Sequence, residues 1–429
     1  MRGWCLSLRS AAACSSGVFA VAAVIVPGIV APQAVASPGA PASASMPGSL
    51  SAVVTGTAGR RGIGGLAARA AGGLARPDGG TVRWETEGLT RAALGVAYVV
   101  NSVSGTVTPI STATNQPGKA IKTGRFPSAA AITPDAKTVY VANGGSNTVT
   151  PIRTATNTAG QAIKVGAGPF AIAITPNGKT VYTANNGTDT VTPIRTATNR
   201  AGRAIKVGTA PDAIAITPDG TTAYVANFIS GTVTPIATAT NTARKAIKTG
   251  GMRGPAFIAI TPDGTTAYVA NSGAGTVIPI HIATNTAGRA IKVGPYPAFI
   301  AITPDGKTAY VANSLGDTVT PIRTATNRAG RSIKVGIDPE AIAITPDGKT
   351  AYVVNVDGTV SPIQTATNTV GPAITVGSSP GAIAITPDGR TAYVANSSSG
   401  SVTPIKIITN TAGRAIKVGS GPVAIAITP

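Results

Sequence analysis

The stretch ITPDGKTAYVANSLGDTVTPIRTATNRAG, residues 302–330, is one copy of a motif that recurs along most of this 429-residue chain. The tyrosines of the motif lie 41 to 44 residues apart and are Tyr98, Tyr140, Tyr182, Tyr224, Tyr268, Tyr310, Tyr352 and Tyr393. A period near 40 residues, with several short strands in each unit, is typical of a β-propeller. The repeat therefore predicts an all-β fold made of similar blades.

Each repeat contains four predicted strands, named A to D in chain order. In one unit, strand A is AIAIT (171–175), strand B is TVYTAN (180–185), strand C is TVTPIRTAT (190–198) and strand D is AIKVG (204–208). The turn between A and B, TPNGKT (175–180), combines a proline that fixes φ with an Asx-Gly pair that suits a tight hairpin. One repeat therefore predicts one four-stranded antiparallel blade.

The two ends of the repeat region are complementary. The region begins with strands B, C and D only (97–124) and finishes with a lone strand A (424–429), so each strand type occurs eight times. A terminal strand A that pairs with the first B, C and D would close the ring and leave no open seam. We therefore predict eight blades; seven blades with unpaired end strands is the alternative.

Segments such as residues 302–330 resemble the YVTN-type β-propeller repeats of bacterial surface and secreted proteins. The resemblance covers about residues 97–429 and recurs eight times. It implies a propeller in the extracytoplasmic space and implies little about function, because a fold does not determine function. One position departs from the family, which usually has Asp just before TATN, whereas this chain often has a basic residue there.

The first 36 residues have the pattern of an export signal. Arg2 and Arg9 precede an apolar stretch (17–31), and AVA (34–36) is a cleavage motif before Ser37. Cleavage would remove Cys5 and Cys14, the only cysteines, and would leave 33 Lys and Arg against 15 Asp and Glu, a net charge of +18. The alternative is a membrane anchor through an uncleaved signal, although the apolar run is short for a span of about 20 residues.

Three regions follow from these patterns: a signal peptide (1–36), a flexible leader or linker (37–95) and the propeller (96–429). The leader is rich in Ala, Gly, Pro and Ser, a composition that cannot bury much apolar surface.

The sequence offers little for metal or histidine chemistry. His281, the only histidine, shares its position in strand C with Ser111, Arg153, Arg195, Ala237, Arg323, Gln364 and Lys406, so we interpret it as solvated. This solvated position disfavours a histidine-based triad, and the absence of a second histidine disfavours a zinc site. Calcium would need clustered carboxylates, but Asp189, Asp317 and Asp357 lie in separate blades. We assign no catalytic residue, metal ligand or cofactor.

Strand D carries a lysine in seven of eight repeats: Lys122, Lys164, Lys206, Lys248, Lys292, Lys334 and Lys417. Because D is the outermost strand of a propeller blade, these cations should form a basic rim. Lysine on an exposed edge blocks edge-to-edge pairing, which is one interpretation. The other is an electrostatic belt for an anionic polymer.

The B–C and D–A connections emerge on one side of the predicted disc, called the loop face below. Every propeller acid outside the A–B turns lies there: Asp189, Asp212, Asp317, Asp338, Glu340 and Asp357. Aromatic residues concentrate at the same end: Phe126, Phe170, Phe228, Phe257, Tyr296 and Phe299. Exposed aromatic side chains favour ligand contact, whereas drift in tolerant loops is the alternative explanation.

The residue just before each predicted strand A varies more than its surroundings, and the set is Ser128, Phe170, Asp212, Ala256, Ala298, Glu340, Gly381 and Val423. Because A is the innermost strand, this set should surround the mouth of the channel. We predict a ligand site there in which aromatic rings stack on the ligand and acids orient its polar or cationic groups. Its candidate residues are Phe170, Asp212, Phe257, Tyr296, Phe299, Asp338 and Glu340.

These features predict an exported, monomeric binding or scaffold protein of the cell envelope, cell surface or extracellular space. Its ligand is unknown, with a protein or an anionic envelope polymer as the candidates. One alternative is a hydrolase or lyase resembling lactonase-type propellers, with Asp212, Asp338 or Glu340 as acid or base. The other is binding of an anionic polymer or nucleic acid through the basic rim.

Overall fold

The structure, a computed structural model, describes residues 95–250 and 254–429. Within these residues the chain forms eight antiparallel sheets, each with the strand order A–B–C–D. The prediction of an all-β, eight-bladed propeller is confirmed. The predicted signal peptide, the leader up to residue 94 and residues 251–253 of one D–A loop lie outside the described residues.

Strands A and B have six residues in every blade. Strands A are Pro127–Ile132, Pro169–Ile174, Pro211–Ile216, Pro255–Ile260, Pro297–Ile302, Pro339–Ile344, Pro380–Ile385 and Pro422–Ile427. Strands B are Val96–Asn101, Thr138–Asn143, Thr180–Asn185, Thr222–Asn227, Thr266–Asn271, Thr308–Asn313, Thr350–Asn355 and Thr391–Asn396. Strand A thus begins two residues earlier than predicted, at a proline.

Strand C also has six residues, whereas strand D is split into two pieces. Strands C are Thr106–Ser111, Thr148–Arg153, Thr190–Arg195, Thr232–Ala237, Thr276–His281, Thr318–Arg323, Thr359–Gln364 and Ser401–Lys406. The first pieces of D are Thr158–Ala159, Arg200–Ala201, Thr242–Ala243, Thr286–Ala287, Arg328–Ala329, Thr369–Val370 and Thr411–Ala412, with an Ile110–Pro117 bridge in the remaining blade. The second pieces are Ile121–Lys122, Ile163–Lys164, Ile205–Lys206, Ile247–Lys248, Ile291–Lys292, Ile333–Lys334, Ile374–Thr375 and Ile416–Lys417.

The proline of strand C explains why strand D is interrupted. The carbonyl of Pro193 accepts a hydrogen bond of 2.7 Å from the backbone N–H of Gly202, in the gap between the two pieces of D. On a strand, the C=O and N–H of one residue point to the same side, so the N–H that Pro193 lacks would also face D. A proline inside a strand therefore removes one ladder bond on that side.

The terminal strand closes the ring. Pro422–Ile427 pairs antiparallel with Val96–Asn101, so the last strand A completes the blade that the first B, C and D begin. Strands A of consecutive blades contact one another around the ring, including the junction between the terminal strand and Pro127–Ile132. The 3+1 closure predicted from the ends of the repeat region is therefore present.

A tyrosine–asparagine hydrogen bond joins every pair of neighbouring blades. The buried tyrosine of each strand B donates its hydroxyl to the Oδ1 of an asparagine in the C–D turn of the next blade, at 2.5 to 2.7 Å. The pairs are Tyr98–Asn157, Tyr140–Asn199, Tyr182–Asn241, Tyr224–Asn285, Tyr268–Asn327, Tyr310–Asn368, Tyr352–Asn410 and Tyr393–Asn115. Each of these asparagines has a positive φ, between 51° and 57°, a conformation that Asn tolerates better than most residues.

The connections lie on two faces. The A–B and C–D turns form one face, called the turn face, where the N–H of Thr154 donates to the carbonyl of Lys137 at 3.0 Å. The B–C and D–A loops form the loop face, where the N–H of Gly145 donates to the carbonyl of Arg125 at 3.0 Å. Two B–C loops contain a 3-10 turn, Ser272–Ala274 and Ser314–Gly316. None of the helical segments in residues 95–250 and 254–429 has the length and hydropathy needed to cross a bilayer.

Replacing Thr183 with valine should stabilise the fold by about 1 kcal/mol, because a buried hydroxyl without a partner costs this much or more. Thr183 is fully buried and its Oγ1 has no hydrogen-bond partner, while the equivalent residue in every other blade is valine. Urea unfolding measures the change. In the same blade, Thr192→Val is the control: the Oγ1 of Thr192 accepts a bond of 2.9 Å from the Nδ2 of Asn185, so this change should destabilise. Equal effects of the two changes would contradict the explanation.

Candidate functional site at the channel mouth

Each strand A carries a β-bulge at its second residue. In one blade Ala171 pairs with Ala184 and Pro169 pairs with Asn185, so Phe170 has no partner on strand B. The eight bulge residues are the variable set Ser128, Phe170, Asp212, Ala256, Ala298, Glu340, Gly381 and Val423. The repeat pattern predicts that these residues precede the strand, but they lie within it. A bulge turns a side chain out of the regular alternation, which lets this position vary without disturbing the sheet.

Neighbouring bulge residues contact one another on the innermost strand. The Ser128 hydroxyl donates a bond of 2.9 Å to the carbonyl of Phe170 in the next blade. A Cβ added to Gly381 would lie 3.4 Å from Oε2 of Glu340. Glu340 therefore lies between blades whose bulge residues, Ala298 and Gly381, have little or no side chain.

Asp212 is a half-buried acid at this position. The Nδ2 of Asn186, in the B–C loop of the preceding blade, donates to its Oδ1. Burial raises the pKa of the Asp212 carboxyl to about 6, and the bond from Asn186 partly opposes that rise. At neutral pH most of this carboxyl is ionised, so a ligand could place a cationic or hydrogen-bond-donating group beside it.

Glu340 and Asp338 form a second acidic position in one blade. Burial, followed by the negative charge of Asp338, raises the pKa of Glu340 to about 7. The pKa of Asp338 is also raised, first by burial and then by Asp317, while a hydrogen bond from Ser314 opposes the rise. The structure therefore brings Asp338 and Glu340 together, and Asp212 lies three blades away.

Lowering the pH from about 7 to about 4.5 should stabilise the wild-type protein relative to Glu340→Gln by about 2 kcal/mol. The pKa of Glu340 in the folded state is raised above 4.5, the value of an unperturbed glutamate, so the folded state binds the proton more tightly than the unfolded state does. This stabilisation is lost as the pH rises through about 7. Urea unfolding across this pH range measures the difference.

Asp219→Asn is the control for the pH effect. Burial acts to raise the pKa of Asp219, but the hydrogen bonds that it accepts from Thr217 and Thr221 outweigh burial and lower this pKa, so Asp219 stays ionised over the same pH range. Parallel stability curves for wild type and Glu340→Gln would contradict the assigned burial of Glu340.

The aromatic candidates divide into packed and partly accessible rings. Phe299 is only 2% exposed, and its ring centroid lies 4.1 Å from that of Phe257, which packs against the same interblade core. Phe299 therefore cannot stack on a ligand as expected, because it is already part of the core. Phe170 is half-buried against the core of its blade. Tyr296 is half-buried, has φ of 54°, and its carbonyl accepts the N–H of Ser314 at 3.0 Å.

The carboxylates of the B–C loops bind backbone groups. Oδ1 of Asp189 accepts from the N–H of Ala210, and Oδ1 of Asp317 accepts from the N–H of Asp338, both at 2.9 Å. Asp357 accepts from the N–H of Ile337 at 2.9 Å. These bonds tie each B–C loop to a neighbouring D–A loop. In the described ranges, no three His, Cys, Asp or Glu side chains are grouped to hold a metal ion.

Of the exposed apolar side chains on the loop face, only Phe126 was predicted from the sequence. In the described part of the chain, seven large apolar side chains are strongly exposed, and five of these are on this face: Val103, Phe126, Ile229, Leu315 and Ile337. Val103 and Phe126 border a cleft of about 430 Å³ that also contains Lys122 and Arg125. The Arg125 guanidinium lies 5.9 Å from the Phe126 ring centroid. In several blades the residue equivalent to Val103 is Gly or Ser. An alignment of the B–C loops shows this difference.

Eight four-stranded blades closed around one ring of A strands define the protein as an eight-bladed β-propeller. Two family models match parts of it: "Lactonase, 7-bladed beta-propeller" over residues 172–331 and "YNCE-like beta-propeller" over residues 87–189. The first describes seven blades, whereas this ring has eight. A search of curated proteins found no match.

Several solved structures share the fold. Hydrazine synthase of Kuenenia stuttgartiensis is 24% identical with a TM-score of 0.55, and the match covers 65% of this chain and 94% of that one. Dihydro-heme d1 dehydrogenase NirN, in complex with DHE, is 14% identical with a TM-score of 0.69, and the match covers 78% of this chain and 75% of that one. A functionally unknown protein from Desulfotomaculum acetoxidans DSM 771 is 18% identical with a TM-score of 0.56, and the match covers 77% of this chain and 98% of that one. At these identities the likeness concerns the fold alone.

Proposed function

We propose that this protein is an exported YVTN-type β-propeller that binds a partner protein through its loop face. The observation that carries the proposal is the concentration of exposed apolar side chains on that face. Large apolar side chains in contact with water lower solubility unless a partner covers them. Export rests on the sequence pattern of residues 1–36, which also predicts cleavage before Ser37.

Charge supports the same face as a binding surface. All six acids that the described residues carry outside the A–B turns lie there, and Arg125 is the one cation that the described D–A and B–C loops contribute. Asp189, Asp317 and Asp357 bind loop backbone, which leaves Asp212, Asp338 and Glu340 to meet a partner. The face therefore suits a partner with apolar and cationic groups, because complementary charge speeds association and selects the partner.

The test is affinity capture from an envelope fraction with matched variants. Changing Val103, Leu315 and Ile337 together to serine removes three side chains that are 62% to 73% exposed, with little effect on the core. The control is Ile408→Ser, since Ile408 is 85% exposed but lies in a C–D turn on the opposite face. A partner that wild type and the Ile408 variant retain and the triple variant loses supports the proposal. Equal retention by all three proteins would refute it.

A hydrolase is the second candidate, and the paired acids Asp338 and Glu340 favour it. A carboxyl whose pKa is near 7 can donate or accept a proton at neutral pH. The lactonase-type match includes Asp212 but ends before Asp338. A panel of lactones and esters tests this candidate: activity should disappear in Glu340→Gln and persist in Asp219→Asn, an A–B turn acid. Activity that survives Glu340→Gln would exclude Glu340 as its acid or base.

A further inference from the structure

The outer strands form a belt that contains only positive charge. The belt consists of eight equivalent segments: 116–124, 158–166, 200–208, 242–250, 286–294, 328–336, 369–377 and 411–419. They contain sixteen Lys and Arg and no Asp or Glu, and all sixteen are exposed: Lys119, Lys122, Lys164, Arg200, Arg203, Lys206, Arg244, Lys245, Lys248, Arg289, Lys292, Arg328, Arg331, Lys334, Arg414 and Lys417. This includes every rim lysine predicted from the sequence.

The belt accounts for all of the net positive charge of the described residues. These residues contain 26 Lys and Arg against 12 Asp and Glu, a net charge of +14. Outside the belt, ten cations face twelve acids, a net charge of −2. The four ion pairs found in the described ranges join residues within A–B turns, so none of them neutralises a belt cation.

The belt is continuous from blade to blade. The second piece of strand D in one blade contacts the first piece of strand D in the next, at seven successive junctions. On the inner side each D pairs with C, and its outer edge has no partner strand among the described residues. The cations therefore follow a path along seven of the eight segments, which is interrupted at segment 369–377, where there is neither a cation nor an acid.

Protection of exposed strand edges explains only part of this pattern. A single charge on each edge is enough to discourage pairing, and glutamate can also serve that purpose. The belt carries two or more cations in most segments and excludes acids from all of them. Crowding of like charges opposes compaction, so the uniform sign points to a partner of opposite charge.

We propose that the belt binds a flexible linear polyanion that carries repeated phosphate or carboxylate groups. The reason for a flexible chain is curvature. A domain of this size has a radius of gyration of about 20 Å, so a flat anionic bilayer can meet only a few blades at once. Duplex DNA has a persistence length of about 50 nm and follows such a curve only at a cost of several kcal/mol. A flexible polymer can follow the whole path.

Long-chain inorganic polyphosphate is the probe, titrated into the purified protein at several salt concentrations. Each neutralised phosphate should contribute about −0.7 to the slope of log K against log salt. The belt variant changes Lys164, Lys206 and Lys334 to threonine, the residue that Thr375 already supplies at this position. The control variant changes Lys179, Lys307 and Lys349 to threonine, which Thr221 and Thr265 supply in their A–B turns. Both variants lose three charges at positions where the fold accepts threonine.

The belt variant should bind polyphosphate about tenfold more weakly, with a slope shallower by about 2, and the control variant should change less than twofold. Equal weakening in both variants would overturn the proposal in favour of a net-charge effect, and no change in either would also overturn it. Tighter binding of duplex DNA or phosphatidylglycerol vesicles than of polyphosphate, at equal phosphate concentration, would reject the flexible polymer. The loop-face variants should bind polyphosphate like wild type, so this result is independent of the proposed partner site.

Discussion

Truncation of the chain after Gly421 is expected to abolish cooperative folding of the propeller at ordinary temperatures. The deleted strand buries Val423 and Ile425 almost completely and pairs with residues Ala97 to Asn101 of the first strand B. Burial of a Val or Ile side chain stabilises a protein by about 1.5–3 kcal/mol, so these side chains and Ile427 together contribute about 5 kcal/mol. That is comparable with the total stability of many domains, about 5–15 kcal/mol.

The truncation also uncovers a strand edge. Val96–Asn101 would lose its inner partner, and an unpaired apolar edge promotes association between molecules. Thermal unfolding and light scattering should therefore show a much lower or absent transition together with aggregation. Deletion of the exposed Pro429 alone is the control, and a peptide of residues 420–429 added in trans should restore part of the stability. A truncated protein with the wild-type melting temperature would contradict the closed ring.

Replacement of Tyr310 with alanine should destabilise the protein by about 3–5 kcal/mol, and replacement with phenylalanine by about 1 kcal/mol. The side chain is fully buried, and its hydroxyl donates to Oδ1 of Asn368 in the next blade at 2.7 Å. Alanine removes the ring and leaves a cavity, whereas phenylalanine keeps the ring and removes only the hydroxyl that donates to the asparagine oxygen. Urea unfolding of both variants separates packing from hydrogen bonding.

Asn368→Gly provides the matched change on the acceptor side. Glycine accepts the positive φ of Asn368, so its main effect should be loss of the same hydrogen bond. In a double-mutant cycle, Tyr310→Phe and Asn368→Gly together should cost less than the sum of the single changes. Strict additivity would show that the bond contributes nothing to blade docking.

The blades were predictable because strand boundaries and turns recur within each repeat. Counting strands A at the C-terminus against strands B, C and D at the start was enough to predict eight blades and their closure. Hydrogen bonds between repeats were harder to predict. Tyr98 donates to Asn157, which is 59 residues away, and each of the two residues can be explained within its own repeat, as a core tyrosine and as a turn asparagine.

The candidate site was only partly predictable, for physical reasons specific to each side chain. Aligning the repeats located Asp212 and Glu340 as variable residues, but their bulge and their burial depend on strand pairing. Phe299 was expected to be accessible, yet the neighbouring Phe257 packs against it. Val103 and Leu315 were not predicted because a single apolar residue in a loop has no periodic pattern. They indicate a binding surface only because they lie on the same face of the propeller as the other exposed apolar side chains.

The tyrosine–asparagine bonds have a consequence for how such a ring could arise. Every repeat provides one donor to the following repeat and one acceptor to the preceding one, so each copy has the same pair of complementary ends. Duplication or loss of a whole copy by unequal recombination would leave every junction between blades with its tyrosine donor and its asparagine acceptor. The number of sectors could therefore change in a single genetic event, and near-identical copies would be the expected record of such growth.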